Sequence, residues 1–251
     1  MSGRLQGRTA LVTGSTGGIG VAVARALAAE GAFVVVSGRD AGRGEEVVRS
    51  IAGAGGQAAF VAADLSKGAH AVEALAASAL AAAGGRLDIL VNNAAMLLTP
   101  TPTAEVPEDT IDAALATSVK SMFLLTGLLA PRMAARGGGA VVNLGSINGL
   151  VGMAHSALYS MTKAAVHSLT KSWSAEYGPY GVRVNTLAPG PTLTEKVKGY
   201  KEHLEPILAR APSRRASAPE EIAAAAVFLA SDDAANVHGA TLTVDGGFSA
   251  V

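Results

Sequence analysis

The chain has 251 residues with 20 basic and 20 acidic side chains, so its formal net charge is zero. This balance gives no electrostatic reason to expect nucleic acid or an anionic membrane as a partner. Hydrophobic residues make up 49% of the chain and charged residues 16%, which excludes a disordered chain and fits a buried sheet with helices on both faces. The length is near the upper limit for one hydrophobic core, so we expect a single domain over residues 1–251.

Cysteine is absent, which excludes disulfides, thiolate catalysis and zinc–thiolate sites. Met1–Leu11 lacks an apolar core of signal-peptide length, and we find no uninterrupted apolar run long enough to span a membrane. The histidines show no metal-ligand spacing. We therefore expect a cytoplasmic protein that has neither a metal site nor a membrane partner.

Short β-branched runs alternate with longer helical patterns along most of the chain. The strand candidates are, in order, Thr9–Thr13, Phe33–Ser37, Ala58–Ala62, Ile89–Val91, Ala140–Leu144, Val182–Leu187 and Thr241–Val244. The helical stretches are Gly18–Glu30, Ala41–Ala52, Gly68–Ala83, Pro107–Arg136, Ser156–Tyr177 and Pro219–Ala230. The early strands are nearly continuous apolar runs, which is typical of a parallel sheet buried on both faces. The alternation predicts an α/β fold with a single Rossmann-type, doubly wound parallel sheet of about seven strands.

One segment breaks this rhythm. Pro191–Ala218 combines three prolines, mixed charge and a weak helical pattern. It follows the carboxyl end of a predicted strand, where sheets of this type bind ligands. The segment is either a lid that covers substrate, which we predict at about residues 191–218, or an ordinary surface excursion.

The first strand runs directly into the glycine-rich turn Thr-Gly-Ser-Thr-Gly-Gly-Ile-Gly at residues 13–20, which opens the first helix. Glycines permit the tight turn and let backbone N–H groups approach a pyrophosphate, whose charge a helix N-terminus favours. The spacing is not G-x-G-x-x-G, and the turn alone could be a plain helix start. Its position at the beginning of a βαβ series favours a dinucleotide site contacted by Gly14, Thr16, Gly18 and Ile19.

The end of the second strand indicates which dinucleotide is bound. An acidic side chain there would accept hydrogen bonds from the adenine ribose hydroxyls, but this chain has Gly38 followed by Arg39. A guanidinium can pair with a 2′-phosphate, and the missing carboxylate removes a repulsion. We therefore predict NADP(H), with NAD(H) as the alternative, and we interpret Asp40 as the N-cap of the next helix.

A tyrosine and a lysine lie on one face of a predicted helix. Tyr159 and Lys163 are four residues apart, and Ser146 follows a strand that ends on the ligand-binding edge of the sheet. A phenol with its ordinary pKa near ~10 is a poor acid–base catalyst at neutral pH. A neighbouring ammonium and an oxidised nicotinamide would lower that pKa. The pair alone could be an ordinary surface pair, but together with Ser146 and the glycine turn it predicts a catalytic group.

At this point the sequence resembles the short-chain dehydrogenase/reductase family over essentially its whole length. The motifs that carry the resemblance are, in chain order, the turn at 13–20, Asp64-Leu65, Asn92-Asn93-Ala94-Ala95, Ser146, Tyr159-Ser-Met-Thr-Lys163, Asn185–Gly190 and Asp245-Gly246-Gly247. The catalytic groups implied are Ser146, Tyr159 and Lys163. The further cofactor contacts implied, from the adenine to the nicotinamide end, are Asp64, Leu65, Asn92, Ala94, Pro189, Gly190, Thr192 and Thr194.

The resemblance also implies a reaction. Ser146 and Tyr159 would hydrogen-bond the carbonyl oxygen of a small-molecule substrate, and Tyr159 would give it a proton as hydride arrives from the cofactor. Lys163 would also bind the nicotinamide ribose. The long helices near Tyr159 and the C-terminal segment would pair subunits, so the resemblance implies a homo-oligomer, either a dimer or a tetramer.

Three positions depart from the family pattern. Ser118 replaces an asparagine that helps to hold a proton-relaying water in the family, Ala95 replaces the commoner glycine, and Gly145 stands where a serine often precedes the catalytic one. We expect the change at 145 to have little effect. The other two place catalytic efficiency in question more than fold or cofactor.

Several loop residues have two interpretations. Met96, Leu97, Leu98, Val151 and Met153 form either an apolar pocket wall or ordinary core. His155 either contacts substrate or merely starts a helix. Arg214 and Arg215 either steer an anionic substrate or form a solvated pair.

The leading hypothesis is an NADPH-dependent reductase of a small ketone or a 3-oxoacyl compound. Its rivals are an NAD-linked alcohol dehydrogenase and a non-catalytic, cofactor-binding sensor or scaffold. Gly38-Arg39 disfavours the first rival. Ser118 is the only feature that favours the second.

Overall fold

The computed structural model describes residues 3–195 and 201–251. Its strands are β1 (Thr9–Val12), β2 (Phe33–Gly38), β3 (Gln57–Ala62), β4 (Ile89–Asn92), β5 (Gly139–Leu144), β6 (Val182–Pro189) and β7 (Thr241–Val244). Its helices are α1 (Gly18–Ala29), α2 (Ala41–Gly53), α3 (Ala69–Ala82), α4 (Glu108–Leu115), α5 (Ser121–Ala134), α6 (Ala157–Tyr177), α7 (Lys201–Leu208) and α8 (Pro219–Ala230). Each predicted strand is present, with ends that shift by up to two residues.

All seven strands are parallel, in the order β3-β2-β1-β4-β5-β6-β7. The prediction of a Rossmann-type, doubly wound sheet is therefore confirmed. The strand order reverses between β1 and β4, and in such sheets ligands bind in the crevice outside the carboxyl ends of the strands at this point.

Two hydrophobic cores hold the helices on the sheet. Side chains alternate along each strand, so that Val34 and Val36 of β2 face one core and Val35 faces the other. The first core includes α1, α2 and α8. The second includes α3, α5 and α6. Burial on both faces is the reason that β1, β2 and β4 have apolar residues at three or four consecutive positions rather than at alternate positions.

The predicted helix Pro107–Arg136 is α4 and α5, joined by a π-type turn at Ala116–Lys120. Together they form one helical segment, Glu108–Ala134, which is long and apolar enough to cross a membrane as judged by length and composition alone. It is not an uninterrupted apolar run, because it contains Asp112 and Lys120. The buried side chains Leu125, Leu129 and Met133 pack into the second core, which accounts for much of this apolar character.

The predicted lid falls partly outside the described residues, since 196–200 are not covered. The remainder contains α7, and its two ends meet where Thr192 pairs with Ser217 in a parallel bridge. The segment is thus anchored at its base beside the end of β6. Its function as a lid stays a prediction.

Candidate active site

The glycine-rich turn between β1 and α1 has the geometry expected of a phosphate-binding turn. Gly14 and Gly18 have φ values of 64° and 55°, a region that favours glycine. A Cβ on Gly14 would lie 2.9 Å from the Cα of Ala94, so only glycine fits. Gly17 is the N-cap of α1 and has no side chain that could accept a hydrogen bond. It therefore leaves the N–H groups in the first turn of α1 without a side-chain cap. These features fit a pyrophosphate.

Asn93 holds this turn in place, and the sequence analysis did not assign it a role. Its side-chain amide donates to the carbonyl oxygens of Thr13 and Gly14 at 2.9 and 3.0 Å. Its backbone N–H donates to the Thr13 hydroxyl at 3.0 Å, and that of Ala94 donates to the same hydroxyl at 3.1 Å. The ends of β1 and β4 are thereby locked together. The Asn92-Asn93 pair in the sequence was the signal that could have identified this role.

The end of β2 lies against the glycine-rich turn. A Cβ on Gly38 would come within 2.5 Å of the Thr16 hydroxyl, so no side chain fits at this position while Thr16 keeps its place. Arg39 follows at an exposed position and acts electrostatically on Asp64. The Asp64 carboxylate accepts hydrogen bonds from the backbone and hydroxyl of Ser66, and these bonds lower its pKa below the ordinary value despite some burial. Asp40 caps α2 by accepting from the N–H of Arg43 at 3.0 Å, which confirms that prediction.

Asn92 belongs to a buried hydrogen-bond network behind the site. Its amide nitrogen donates to the Thr126 hydroxyl at 3.1 Å and to the Asn143 side-chain oxygen at 2.8 Å. Asn143 donates in turn to Thr170 at 2.9 Å, and Thr186 donates to Thr170 at 2.7 Å. The Asn92 amide nitrogen is therefore already hydrogen-bonded within the protein. A cofactor contact at Asn92 would have to involve other atoms of this residue.

Ser146, Tyr159 and Lys163 come together at the carboxyl end of β5, as predicted. Ser146 directly follows Gly145 at the end of that strand, and its side chain lies close enough to Tyr159 to influence the pKa of the phenol. Lys163 lies one turn of α6 further along, with its ammonium 5.6 Å from the centroid of the Tyr159 ring. That ammonium donates to the carbonyl oxygen of Leu144 at 2.8 Å.

Burial controls the charges of this group. It raises the pKa of Tyr159 above the usual value, although the Ser146 side chain acts in the opposite direction. Burial lowers the pKa of Lys163 to about 8. Loss of hydration thus dominates in the protein without cofactor. The predicted lowering of the phenol pKa also depends on the positive charge of an oxidised nicotinamide, so it stays a prediction.

The loop after β6 closes against the glycine-rich turn. Thr194 lies 3.4 Å from the position that a Cβ on Gly18 would take, and Thr192 is buried and donates to the carbonyl oxygen of Gly190 at 3.0 Å. A Cβ on Gly190 would meet the Cα of Asp245 at 2.8 Å. The predicted contacts for the two ends of the cofactor therefore line one continuous edge of the sheet. Of the remaining predicted contacts, Ile19 lies in the first turn of α1, which follows β1, and Pro189 is the last residue of β6. Leu65 and Ala94 follow the carboxyl ends of β3 and β4.

A cavity of about 210 Å³ opens beside Tyr159. Its lining includes Met96, Leu97, Leu98 and His155, which supports the pocket interpretation of these four residues. His155 has a φ of 61°, a region that favours glycine, and such strain tends to occur at functional sites.

The other loop candidates lie elsewhere. Val151 packs against a small cluster with Ile147 and Phe248, as ordinary core. Arg215 forms a two-pronged ion pair with Glu221 at 2.7 Å, as expected of a surface pair. The structure therefore gives no support to substrate steering by Arg215.

Ser118 occupies the middle of the π-type turn and is buried. Its hydroxyl accepts a hydrogen bond from the N–H of Met96 at 3.1 Å. The residue that replaces the usual asparagine thus holds the loop that forms one wall of the cavity. A π-type turn within a helix is often found at a functional site.

Comparison with known proteins agrees with this geometry. The family model described as enoyl-(acyl carrier protein) reductase matches residues 14–249. D-threitol dehydrogenase of Mycolicibacterium smegmatis is 40% identical over 250 residues, which cover 98% of this chain and 94% of that protein. A solved short-chain dehydrogenase/reductase superposes with a TM-score of 0.91 at 44% identity, covering 99% of this chain and all of the other.

The chain belongs to the short-chain dehydrogenase/reductase family. Other relatives in this family are named for galactitol and cyclopentanol oxidation, so the protein is an oxidoreductase that acts on alcohols or ketones. Similar structures hold either cofactor. A protein assigned as 2-deoxy-D-gluconate 3-dehydrogenase from Agrobacterium tumefaciens contains NADP (36% identity, TM-score 0.90, covering 98% of each chain), and a 7α-hydroxysteroid dehydrogenase contains NADH (36% identity, TM-score 0.92, covering 97% of this chain and 95% of that one).

Proposed function

We propose that this short-chain dehydrogenase/reductase uses NADP(H) and works as a carbonyl reductase, interconverting a small ketone and its secondary alcohol. The observation that carries the proposal is the convergence of Ser146, Tyr159 and Lys163 at the sheet edge lined by the glycine-rich turn. The cofactor residues are proposed to be those predicted from the sequence.

In this mechanism the protein supplies orientation and protons. The Ser146 and Tyr159 hydroxyls hydrogen-bond the carbonyl oxygen of the substrate, which polarises it. Tyr159 donates its phenolic proton to that oxygen in the reductive direction. Because its pKa is raised by burial, the phenol is fully protonated at neutral pH and ready to donate. When bound, the nicotinamide supplies the hydride.

Lys163 supports the proton transfer. Its pKa near 8 means that the ammonium is mostly charged at neutral pH but loses its proton easily. The hydrogen bond to the Leu144 carbonyl oxygen fixes the ammonium 5.6 Å from the centroid of the Tyr159 ring. A positive charge is thereby placed beside the phenol. This charge stabilises the phenolate that forms as the proton leaves.

The preference for NADP(H) rests on the end of β2. Since no side chain fits at Gly38 while Thr16 keeps its place, this position carries no carboxylate that would bind the ribose hydroxyls and repel a 2′-phosphate. Arg39 is exposed beside this position and is free to turn toward a phosphate. A charge-assisted hydrogen bond of this type contributes about 1.5–3 kcal/mol, or roughly 10- to 100-fold in affinity.

The catalytic part of the proposal is tested by following NADPH oxidation with a panel of ketones, diketones and cyclic ketones. We expect Tyr159→Phe to remove nearly all turnover while the dissociation constant for NADPH stays unchanged. Tyr180→Phe is the matched control, because Tyr180 is exposed and is not one of the predicted site residues. This variant should keep full activity. Equal rates for Tyr159→Phe and the wild type would refute the mechanism, and silence of the wild type with tight NADPH binding would favour a sensor or scaffold.

The cofactor preference is tested by titrating the protein with NADPH and NADH. Arg39→Ala should weaken NADPH binding by roughly 10- to 100-fold and leave NADH binding almost unchanged. Arg49→Ala, on the exposed face of α2, removes the same charge farther from the end of β2 and should change neither constant. Tighter binding of NADH than of NADPH by the wild type would refute this preference and favour the NAD-linked alternative.

We further propose that the protein works in the cytoplasm as a homo-oligomer, a dimer or a tetramer. The exposed apolar side chains Phe123 and Leu128 on α5 and Met161 on α6 support a subunit contact through these helices. Light scattering of the purified protein tests the oligomeric state, and a monomer at micromolar concentration would contradict it.

A further inference from the structure

A buried histidine lies behind the catalytic group and has no part in the mechanism above. His167 is one turn of α6 beyond Lys163, which is itself one turn beyond Tyr159, so the three side chains share one face of the helix. Its side chain is only 6% exposed. Burial of such a ring costs free energy unless its nitrogen atoms are hydrogen-bonded.

The ring contacts the backbone of Ser146. The His167 Nε2 accepts a hydrogen bond from the Ser146 N–H at 3.5 Å, which places the ring proton on Nδ1. Within the described part of the chain, Nδ1 has no hydrogen-bond partner. Burial and the positive charges of Lys163 and Lys171 hold the pKa of His167 below its usual range. The imidazole is therefore neutral at physiological pH, which is the form that can accept this bond.

The same ring explains the glycine before the catalytic serine. A Cβ on Gly145 would lie 2.4 Å from the His167 Nε2 and 2.6 Å from the Thr186 methyl group. Thr186 is tied by its own hydrogen bond to Thr170 and cannot easily move away. A serine at 145, expected from the sequence to be of little consequence, is thus excluded while His167 and Thr186 keep their places.

We propose that His167 is a positioning residue for Ser146 and that Gly145 and His167 form a matched pair. The imidazole fills the space over Gly145 and holds the Ser146 amide, and this fixes the turn from which the Ser146 hydroxyl reaches Tyr159. The proposal rests on the proposed function, because Ser146 matters for turnover only if it polarises a carbonyl oxygen.

The acceptor role is tested with two variants of the same position. His167→Leu keeps the apolar volume but removes the acceptor, and it should lower kcat by roughly 10-fold with little change in the KM for NADPH, as expected for a displaced catalytic group. His167→Gln restores an acceptor and should recover most of the lost kcat. His70→Leu, at an exposed position, is the control and should be indistinguishable from the wild type.

The steric pairing is tested with a double-mutant cycle. Gly145→Ala alone should lower kcat strongly, and adding His167→Ala should recover part of that loss, because the clash with the imidazole is removed while the close contact with the Thr186 methyl group stays. A Gly145→Ala variant with wild-type kcat would overturn the pairing. So would a double variant that is slower than either single one.

Amide hydrogen exchange of a peptide that spans the Ser146 turn reads the positioning without any substrate. We expect faster exchange in His167→Leu and near wild-type exchange in His167→Gln, in proteins with unchanged melting temperatures. Unchanged exchange in His167→Leu, or unchanged kcat in an active enzyme, would overturn the proposal. A wild type without turnover but with faster exchange in His167→Leu would instead reject the proposed function and leave the positioning intact.

Discussion

Replacing the buried catalytic lysine should change stability in a way that depends on pH. Lys163 is 5% exposed and burial lowers its pKa from 10.5 to about 8. A lysine whose pKa is lower in the folded state binds fewer protons than in the unfolded state between these two values. The wild type therefore gains stability as pH rises through 8 toward 10.5, and carries its full penalty below pH 8. At pH 7 that penalty is about 3 kcal/mol.

Lys163→Met removes the charge and keeps the length of the side chain. Loss of the bond to the Leu144 carbonyl oxygen costs about 1–3 kcal/mol, so the net gain at pH 7 is on the order of 1 kcal/mol. At pH 9.5 the wild-type penalty has fallen by about 2 kcal/mol, and the variant should then be the less stable protein. Activity should be lost at both pH values, because Lys163 belongs to the proposed catalytic group.

The assay is urea unfolding of both proteins without cofactor, at pH 7 and pH 9.5, at one fixed protein concentration since oligomerisation adds to stability. Lys171→Met, on the exposed face of the same helix, should show no such reversal. A stability difference between Lys163→Met and the wild type that is the same at both pH values would refute the reasoning. That result would mean that Lys163 keeps its ordinary pKa in the folded protein.

Two further substitutions test other parts of the structure. Arg183 is buried, and its guanidinium donates to the carbonyl oxygens of Leu229 and Ser231 at the end of α8. Arg183→Met should therefore lower the free energy of unfolding by about 2 kcal/mol, measured by urea titration. A loss below about 0.5 kcal/mol would contradict this expectation. Ser118→Ala removes the hydrogen bond to the N–H of Met96 and so loosens the cavity wall. We expect the KM for the ketone to rise several-fold while kcat changes little. A loss in kcat with constant KM would instead indicate that Ser118 acts in proton transfer.

The correspondence between the sequence and the sheet was close because the relevant signals are local. Continuous apolar runs mark strands buried on both faces, and β1 to β7 all coincide with such runs or with short β-branched ones. The Gly38-Arg39 pair could be interpreted because its position at a strand end is visible in the sequence. The physical reason for the glycine is visible only in the structure, where a Cβ on Gly38 would lie 2.5 Å from the Thr16 hydroxyl.

The sequence by itself determined the order of strands and helices, the shared edge on which their ends meet, and the residues Ser146, Tyr159 and Lys163 that lie there. Only the tertiary structure decided what surrounds them. The His167 ring over Gly145, the Ser118 hydroxyl on Met96 and the lowered pKa of Lys163 all depend on how α5 and α6 are rotated against the sheet. Contacts between residues distant along the chain, and the hydration that each group loses when those contacts form, are set by packing rather than by any local pattern.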